Sequence, residues 1–436
     1  MKVILYSSQI SPRLNYIVDF FSTQISDEPI IITANADEFK NADAVKINYS
    51  ATAIDDNEIQ ISPYVLLFEE GIQLQVIECF EWNGLKVFFK TEGDIPFDFF
   101  GASFYLLTRY EEYLPHEEDE YGRYAHVNSL AFKENLLYLP LVNLWIRELI
   151  KLLQQRTSTF NLQPFTFKYT PTYDIDIAYS YLHHSVFRNL VGFYKELFTG
   201  KWKQLTERAN VFSGWKKDPF DTYNWLDALH RQYNLNPVYF FLLAQKRKGY
   251  DKNILPRNKA MQKLIQSHAT KYIVGIHPSW QSGDDKNILH EEISLLEKIS
   301  GKKINHSRQH YIRMNFPETY RRLIEEGIAH DYSMGYGSIN GFRTSVASPF
   351  YWYDLEKEEK TSLLIHPFCY MEANSYFEQC YTAEQAVQEL QNYHDVVKSV
   401  NGELITIFHN HFLTDQKQWL PWRKMYEDFL QRNFIG

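Results

Sequence analysis

From about residue 165 onward, short apolar runs of strand length alternate with longer stretches of helical spacing. Residues 167–173, 237–243, 272–276, 328–333, 363–367 and 404–408 read as strands. Residues 223–233, 287–300, 316–326 and 383–400 read as helices, the last with Ala386, Leu390, Tyr393 and Val397 on one side. Repeated β-then-α order predicts a parallel sheet, open or closed into a barrel. In a parallel barrel the chemistry gathers at the C-terminal ends of the strands.

The first third reads as a separate α/β unit. Strand candidates cover 3–6, 30–33, 44–49, 59–61, 74–77 and 86–89. Helical spacing covers 13–24, 100–113 and 141–153. The polar stretch 154–163 is placed as the boundary, dividing 436 residues into an accessory domain (1–163) and a larger domain (164–436).

Composition narrows the function. Forty-five Lys and Arg against 54 Asp and Glu give −9, which argues against a nucleic-acid surface and hinders, without forbidding, contact with anionic membranes. Aromatics reach 16%, enough for a ring-rich core and subunit interface or for a protein that stacks rings on sugar faces. Cys79, Cys369 and Cys380 form no disulfide or zinc framework and suit a reduced compartment. The N-terminal apolar run is too short for a signal-peptide core, and no run approaches the roughly 18–20 residues of a spanning helix. The expectation is a cytoplasmic protein without a membrane span, with homo-oligomerisation left open.

The strand ends carry the chemistry. Asp174 and Asp176 leave the first strand on the same side, roughly 6–7 Å apart. Two acids so placed repel unless a cation or shared proton offsets the cost. Three further strands run into His277-Pro278-Ser279, His366-Pro367-Phe368 and His409-Asn410-His411. Imidazole and carboxylate are the ligands of a Zn²⁺-like ion with an open position. With a second carboxylate as base and a second histidine as acid, the set suits metal-assisted hydrolysis of an amide or ester. A glycosidase fits poorly, because two acids on one strand do not flank a scissile bond from opposite faces. His183 and His184, expected on a helix, read as surface residues.

The order Thr172-Tyr173-Asp174-Ile175-Asp176, Gly275-Ile276-His277-Pro278-Ser279, Arg308-Gln309-His310-Tyr311 and Ile405-Thr406-Ile407-Phe408-His409 resembles the polysaccharide deacetylase family (NodB homology, carbohydrate esterase family 4). The resemblance covers about residues 165–436. It implies a distorted (β/α)7 barrel, here behind a smaller α/β domain, and removal of an N- or O-acyl group from a carbohydrate with a divalent metal, Zn²⁺ first. Asp174 resembles the catalytic base, Arg308 the arginine that pairs with it, Asp176 and His277 metal ligands, and His409 the general acid. Tyr311 resembles the residue whose backbone N–H helps form the oxyanion hole. Ser279, Trp280, Arg343 and His411 are expected substrate contacts, with a surface turn as the other reading of Arg343.

One departure leaves the metal open. The family's second metal histidine lies four residues after the first, where this chain has Gln281. His310 replaces a residue that is usually proline. Either His310 supplies the missing ligand or a substrate contact, or metal binding is weakened or lost. In the second case the chain is a glycan-binding or scaffold protein of polysaccharide assembly. Residues 103–113 and 119–124 resemble an uncharacterised accessory domain that names no activity. There Arg109 and Glu112 either pair on a helix surface or serve an interface or lid.

Overall fold

The computed structural model of the protein describes residues 2–25, 28–156 and 166–434. Its first part holds a four-stranded parallel sheet of Val3–Tyr6 (β1), Ile31–Thr33 (β2), Val45–Asn48 (β3) and Glu58–Gln60 (β4), in the order β2-β1-β3-β4. Helix Pro12–Ile25 buries Leu14, Ile17, Val18 and Phe21, the spacing of one helical face. Helix Phe99–Leu107 is capped by Asp98, whose carboxylate accepts from Gly101 N at 2.8 Å. A Cβ at Gly101 would lie 2.4 Å from that carboxylate, so the cap needs glycine. A small hairpin, Phe80–Trp82 (β5) with Leu85–Val87 (β6), completes this part's strands.

Two expectations fail here. Residues 74–77 form no strand, and Leu74 and Val76 are exposed without a ladder partner. The helix expected over 100–113 ends at Leu107, because Arg109 turns left-handed (φ 54°) before a 3-10 turn over Tyr110–Tyr113. That reversal accompanies a buried charge cluster rather than a surface pair. Glu112 accepts from Arg109 Nε at 2.6 Å and from Arg343 Nε at 2.8 Å and Nη2 at 2.5 Å. Arg109 also donates to the Arg343 carbonyl.

The larger sheet has nine strands: Lys168–Ile175 (β7), Val238–Leu242 (β8), Ile273–His277 (β9), His306–Ser307 (β10), His330–Asp331 (β11), Phe350–Asp354 (β12), Glu359–Ile365 (β13), Tyr370–Met371 (β14) and Glu403–His409 (β15). Their order is β12-β13-β11-β10-β9-β8-β7-β15-β14, and every ladder is parallel except β12 with β13. The architecture is thus mixed α/β with a large, mostly parallel sheet. Helices such as Lys259–Ala269, Lys286–Ser300 and Ala383–Ser399 return the chain between strands and bury their apolar stripes. β10, β12 and β14 escaped the sequence reading: two are only two residues long, and β12 is a short antiparallel edge strand.

The two parts share one buried hydrophobic cluster. Phe342 N donates to Leu137 O at 2.7 Å, Val142 N to Ser345 O at 3.0 Å, and Tyr16 Oη to Tyr351 O at 2.8 Å. Arg13 pairs with Glu358 in the same seam. The boundary expected over 154–163 lies largely outside the described residues.

Two stability predictions follow from buried charge. Removing one member of a buried ion cluster strands the others. Glu112→Ala leaves Arg343 without a carboxylate and Arg109 with Glu111 alone, and is expected to cost about 3–5 kcal/mol in urea unfolding. A loss below about 1 kcal/mol would be that of a surface pair. On β15, Glu403 accepts from Thr170 Oγ1 at 2.5 Å and lies 2.7 Å from Lys168 Nζ. Burial works to raise its carboxyl, but His366 and Lys168 outweigh burial and hold it at about 2, below its ordinary 4.5. Its stabilisation is full above pH 4.5 and lost as pH falls toward 2. The stability gap between the protein and Glu403→Gln should therefore shrink over that window; a pH-independent gap would assign the effect to something else.

Candidate metal and acid–base site

Neighbouring parallel strands deliver the site. Asp174 is the penultimate residue of β7, with Asp176 just past its end. His409 ends β15, and the register sets it opposite Asp174. His277 ends β9, and Arg308 follows β10. All lie at the C-terminal ends of their strands; residue order placed Asp174, Asp176, His277 and His409 there, but not Arg308, whose strand β10 it did not mark.

Arg308 is fully buried and holds Asp174. Its Nη1 donates to Asp174 Oδ1 at 3.0 Å and to Thr172 Oγ1 at 2.5 Å, and its Nε to Tyr332 O at 3.0 Å. The guanidinium lies 4.6 Å from the Phe240 ring centroid.

Three imidazoles converge on Asp176 in the same way. His277 Nδ1 meets the Arg308 carbonyl at 2.5 Å, His310 Nδ1 meets Asp251 Oδ1 at 3.2 Å, and His409 Nδ1 meets Glu372 Oε1 at 2.8 Å. Each of those partners only accepts, so each Nδ1 carries the proton. The Nε2 atoms then face Asp176, at 3.2 Å from His277, 3.7 Å from His310 and 3.6 Å from His409. His277 Nε2 is also 3.8 Å from Asp174 Oδ2.

Such an array needs positive charge, as a cation or as added protons. Burial works to raise the Asp176 carboxyl, but His310 and His277 outweigh it and hold it well below the carboxylate range. His310 is pushed up to about 9, with Asp176 and Asp251 overcoming burial. His409 is pushed up to about 10, with Glu372, Asp176 and Asp174 overcoming burial. Burial raises the Glu372 carboxyl.

The donor set fits a divalent ion. Asp176, His277 and His310 each offer one ligand atom, all within 4.8 Å of one another. Asp176 Oδ1 is buried and accepts no hydrogen bond. Each histidine's other nitrogen is tied to a backbone carbonyl or carboxylate, the arrangement that orients metal-bound imidazoles.

Gln281 stands outside this group and takes another task. Its Nε2 donates to Asp251 Oδ2 at 2.9 Å, while Trp280 N donates to Asp251 Oδ1 at 3.0 Å. Gln281 thereby fixes the carboxylate that orients His310.

Four rings stand beside the His310 side. Tyr250 lies 4.3 Å from Trp280 and 4.8 Å from Tyr311, and Tyr121 lies 5.3 Å from Tyr311, between centroids. The Tyr311 ring is 4.8 Å from His310. Tyr311 is left-handed (φ 58°), and its carbonyl accepts from Arg123 Nη1 at 2.6 Å. Tyr121 and Arg123 come from the first part of the chain, so that part reaches the site.

The remaining expected residues divide. Trp280 belongs to the aromatic wall, and His411 lies 5.4 Å from the His409 ring. Buried Ser279 fastens its own loop: its amide donates to Glu292 Oε2 on the helix Lys286–Ser300, and its hydroxyl accepts from Ser282 N. Arg343 is committed to Glu112 and the Gly335 carbonyl, joining the two parts of the chain. His183 and His184 precede the helix Val186–Phe198 rather than lying on it, and His184 is buried against Tyr179 O at 2.6 Å.

Asp251 and Glu372 went unread. Asp251 sits in a loop with no periodicity to mark it. Glu372 directly follows β14, so a strand reading carried from 367 to Met371 would have met it at the strand-end position.

Residues 3–158 match a family of unknown function, DUF7033. No curated protein matches the chain. Among solved structures, a protein assigned as a polysaccharide deacetylase from Mycobacterium smegmatis is 14% identical with a TM-score of 0.39, over 63% of this chain and 88% of that one. One so assigned from Pseudomonas aeruginosa PAO1 is 12% identical with a TM-score of 0.37, over 61% and 84%. A polysaccharide deacetylase from Bacillus cereus is 12% identical with a TM-score of 0.28, over 49% and 83%. Likeness at this level leaves the chemistry to the side chains themselves.

The ligand role of His310 is testable by metal content. Purified protein loaded with Zn²⁺ and desalted is expected to retain it by atomic absorption, and His310→Ala to lose it. Asp251→Asn is expected to weaken zinc affinity about 10–100-fold. Unchanged zinc stoichiometry and affinity in both variants would remove His310 from the ligand set.

Proposed function

We propose that the protein is a metal-dependent hydrolase that removes an N- or O-acyl group from a carbohydrate. The observation that carries the reading is the common orientation of His277, His310 and His409, each tied through Nδ1 and presenting Nε2 to Asp176. On this reading β7, β8, β9, β10, β11, β15 and the run β13–β14 form the distorted (β/α)7 barrel. In support, that single run pairs with β11 at one end and β15 at the other.

Asp176, His277 and His310 would hold the ion, which when bound supplies a Lewis acid to a water and to the acyl carbonyl. Asp174 accepts the water's proton. Arg308 occupies its Oδ1 and leaves Oδ2 toward His277, which orients the base. His409, kept protonated by Glu372, delivers a proton to the departing amine or alkoxide. The Tyr311 amide donates to the developing oxyanion, and Arg123 holds the carbonyl of the same residue, one peptide further on. Tyr121, Tyr250, Trp280 and Tyr311 supply flat apolar faces for sugar rings.

Zinc-loaded protein is expected to release acetate from N-acetylated chito-oligosaccharides or O-acetylated xylo-oligosaccharides. Asp174→Asn is expected to lower kcat about 10²–10⁴-fold while retaining zinc, because it removes a base and not a ligand. Gln281 at the expected ligand position favours a second reading, a glycan-binding scaffold. No acetate release under Zn²⁺, Co²⁺ or Mn²⁺, with no metal retained, would select it.

A further inference from the structure

Just past Asp176 the chain leaves the sheet and builds two helices, Val186–Phe198 and Trp202–Phe212. Their root is fastened beside the candidate site. Asp218 accepts from the amides of Ser180, Tyr181 and Leu182, and Asn410, next to His409, donates to Ile177 O and Phe220 O.

The hairpin is built against the usual rule for a helix on a core. Phe187, Leu190, Val191, Tyr194 and Phe198 recur at i, i+3, i+4, i+7 and i+11, one apolar stripe. No residue of that helix is buried, and Val211 alone is buried in the second. Phe187 is 77% exposed, Phe198 83%, Trp202 61% and Trp215 87%. Exposed apolar surface of this extent marks an interaction face.

Its charge runs against the chain's. Residues 185–217 carry seven Lys and Arg and two Asp and Glu, a net +5 in a chain of −9. Arg208 is paired with Glu196 and Lys216 with Glu207. Lys195, Lys201 and Lys203 flank Tyr194, Phe198 and Trp202 at the tip, are exposed, and make no ion pair among the described residues. Aromatic and aliphatic groups beside free lysines on short helices are the composition of an interfacial helix. No helix among the described residues is long and apolar enough to cross a membrane, so the hairpin would lie on a bilayer rather than span it.

We propose that the 186–217 hairpin docks the protein onto an anionic lipid surface, with its root beside the candidate site. The apolar stripe enters the headgroup boundary, and Lys195, Lys201 and Lys203 meet lipid phosphates. A symmetric pairing of two copies through this face would bring the same three lysines against one another, which disfavours self-association.

Co-sedimentation of the full chain with vesicles tests this. The protein is expected to sediment with phosphatidylcholine–phosphatidylglycerol vesicles at low salt, to be released by high salt, and to leave pure phosphatidylcholine vesicles largely unbound. Phe198→Ser with Trp202→Ser, and Lys195→Glu with Lys201→Glu and Lys203→Glu, are each expected to cut binding about tenfold or more. Their circular dichroism and elution volume should not change, because these side chains are solvent-exposed. Absence of binding to the anionic vesicles, equal binding to neutral ones, or binding unaltered in both variants would overturn the proposal. A wild-type dimer that Phe198→Ser with Trp202→Ser converts to monomer would overturn it in favour of a self-interface.

Discussion

The buried Arg308 ties together the strand ends that carry the candidate site. It joins Asp174 and Thr172 of β7 to the carbonyl of Tyr332 beyond β11. Its own carbonyl holds His277, and its amide donates to Ile276 O of β9 at 3.1 Å. One residue thus links Asp174 to His277 across several strands. A guanidinium suits this place because it stays charged when buried and presents a rigid fork of donors. A buried cation without its carboxylate would be costly, so Arg308 and Asp174 require each other.

Gln281 occupies the position at which the resemblance implies a histidine, and it turns its amide to Asp251. Asp251 in turn orients His310, which comes from a different loop to the same carboxylate. A metal site needs donor atoms at the right separation, not at a fixed sequence interval. On the proposed reading, a glutamine that braces the carboxylate behind His310 therefore stands where a ligand histidine was expected.

The first part of the chain bears on the site through two routes. Glu112, between Arg109 and Arg343, fastens it to the sheet, and Arg123 and Tyr121 reach the Tyr311 loop. Arg109 and Glu112 were legible as a pair from their spacing, but not as a buried one. The third member, Arg343, lies more than two hundred residues away, so no local spacing signals it. The helix spacing over 100–113 misled for the same reason, since a tertiary charge cluster overrode local propensity at Arg109.

Residue order alone placed Asp174, His277 and His409 at the C-terminal ends of parallel strands, because alternation and β-then-α order are local properties. The family resemblance, not residue order, marked Gln281 as the irregular position. Only the packed chain decided that His310 joins Asp176 and His277, that Asp251 and Glu372 stand behind the imidazoles, and that Arg343 serves the seam between the two parts. Those facts depend on side chains meeting across loops of unequal length, and the distances between them exist only once the sheet has formed.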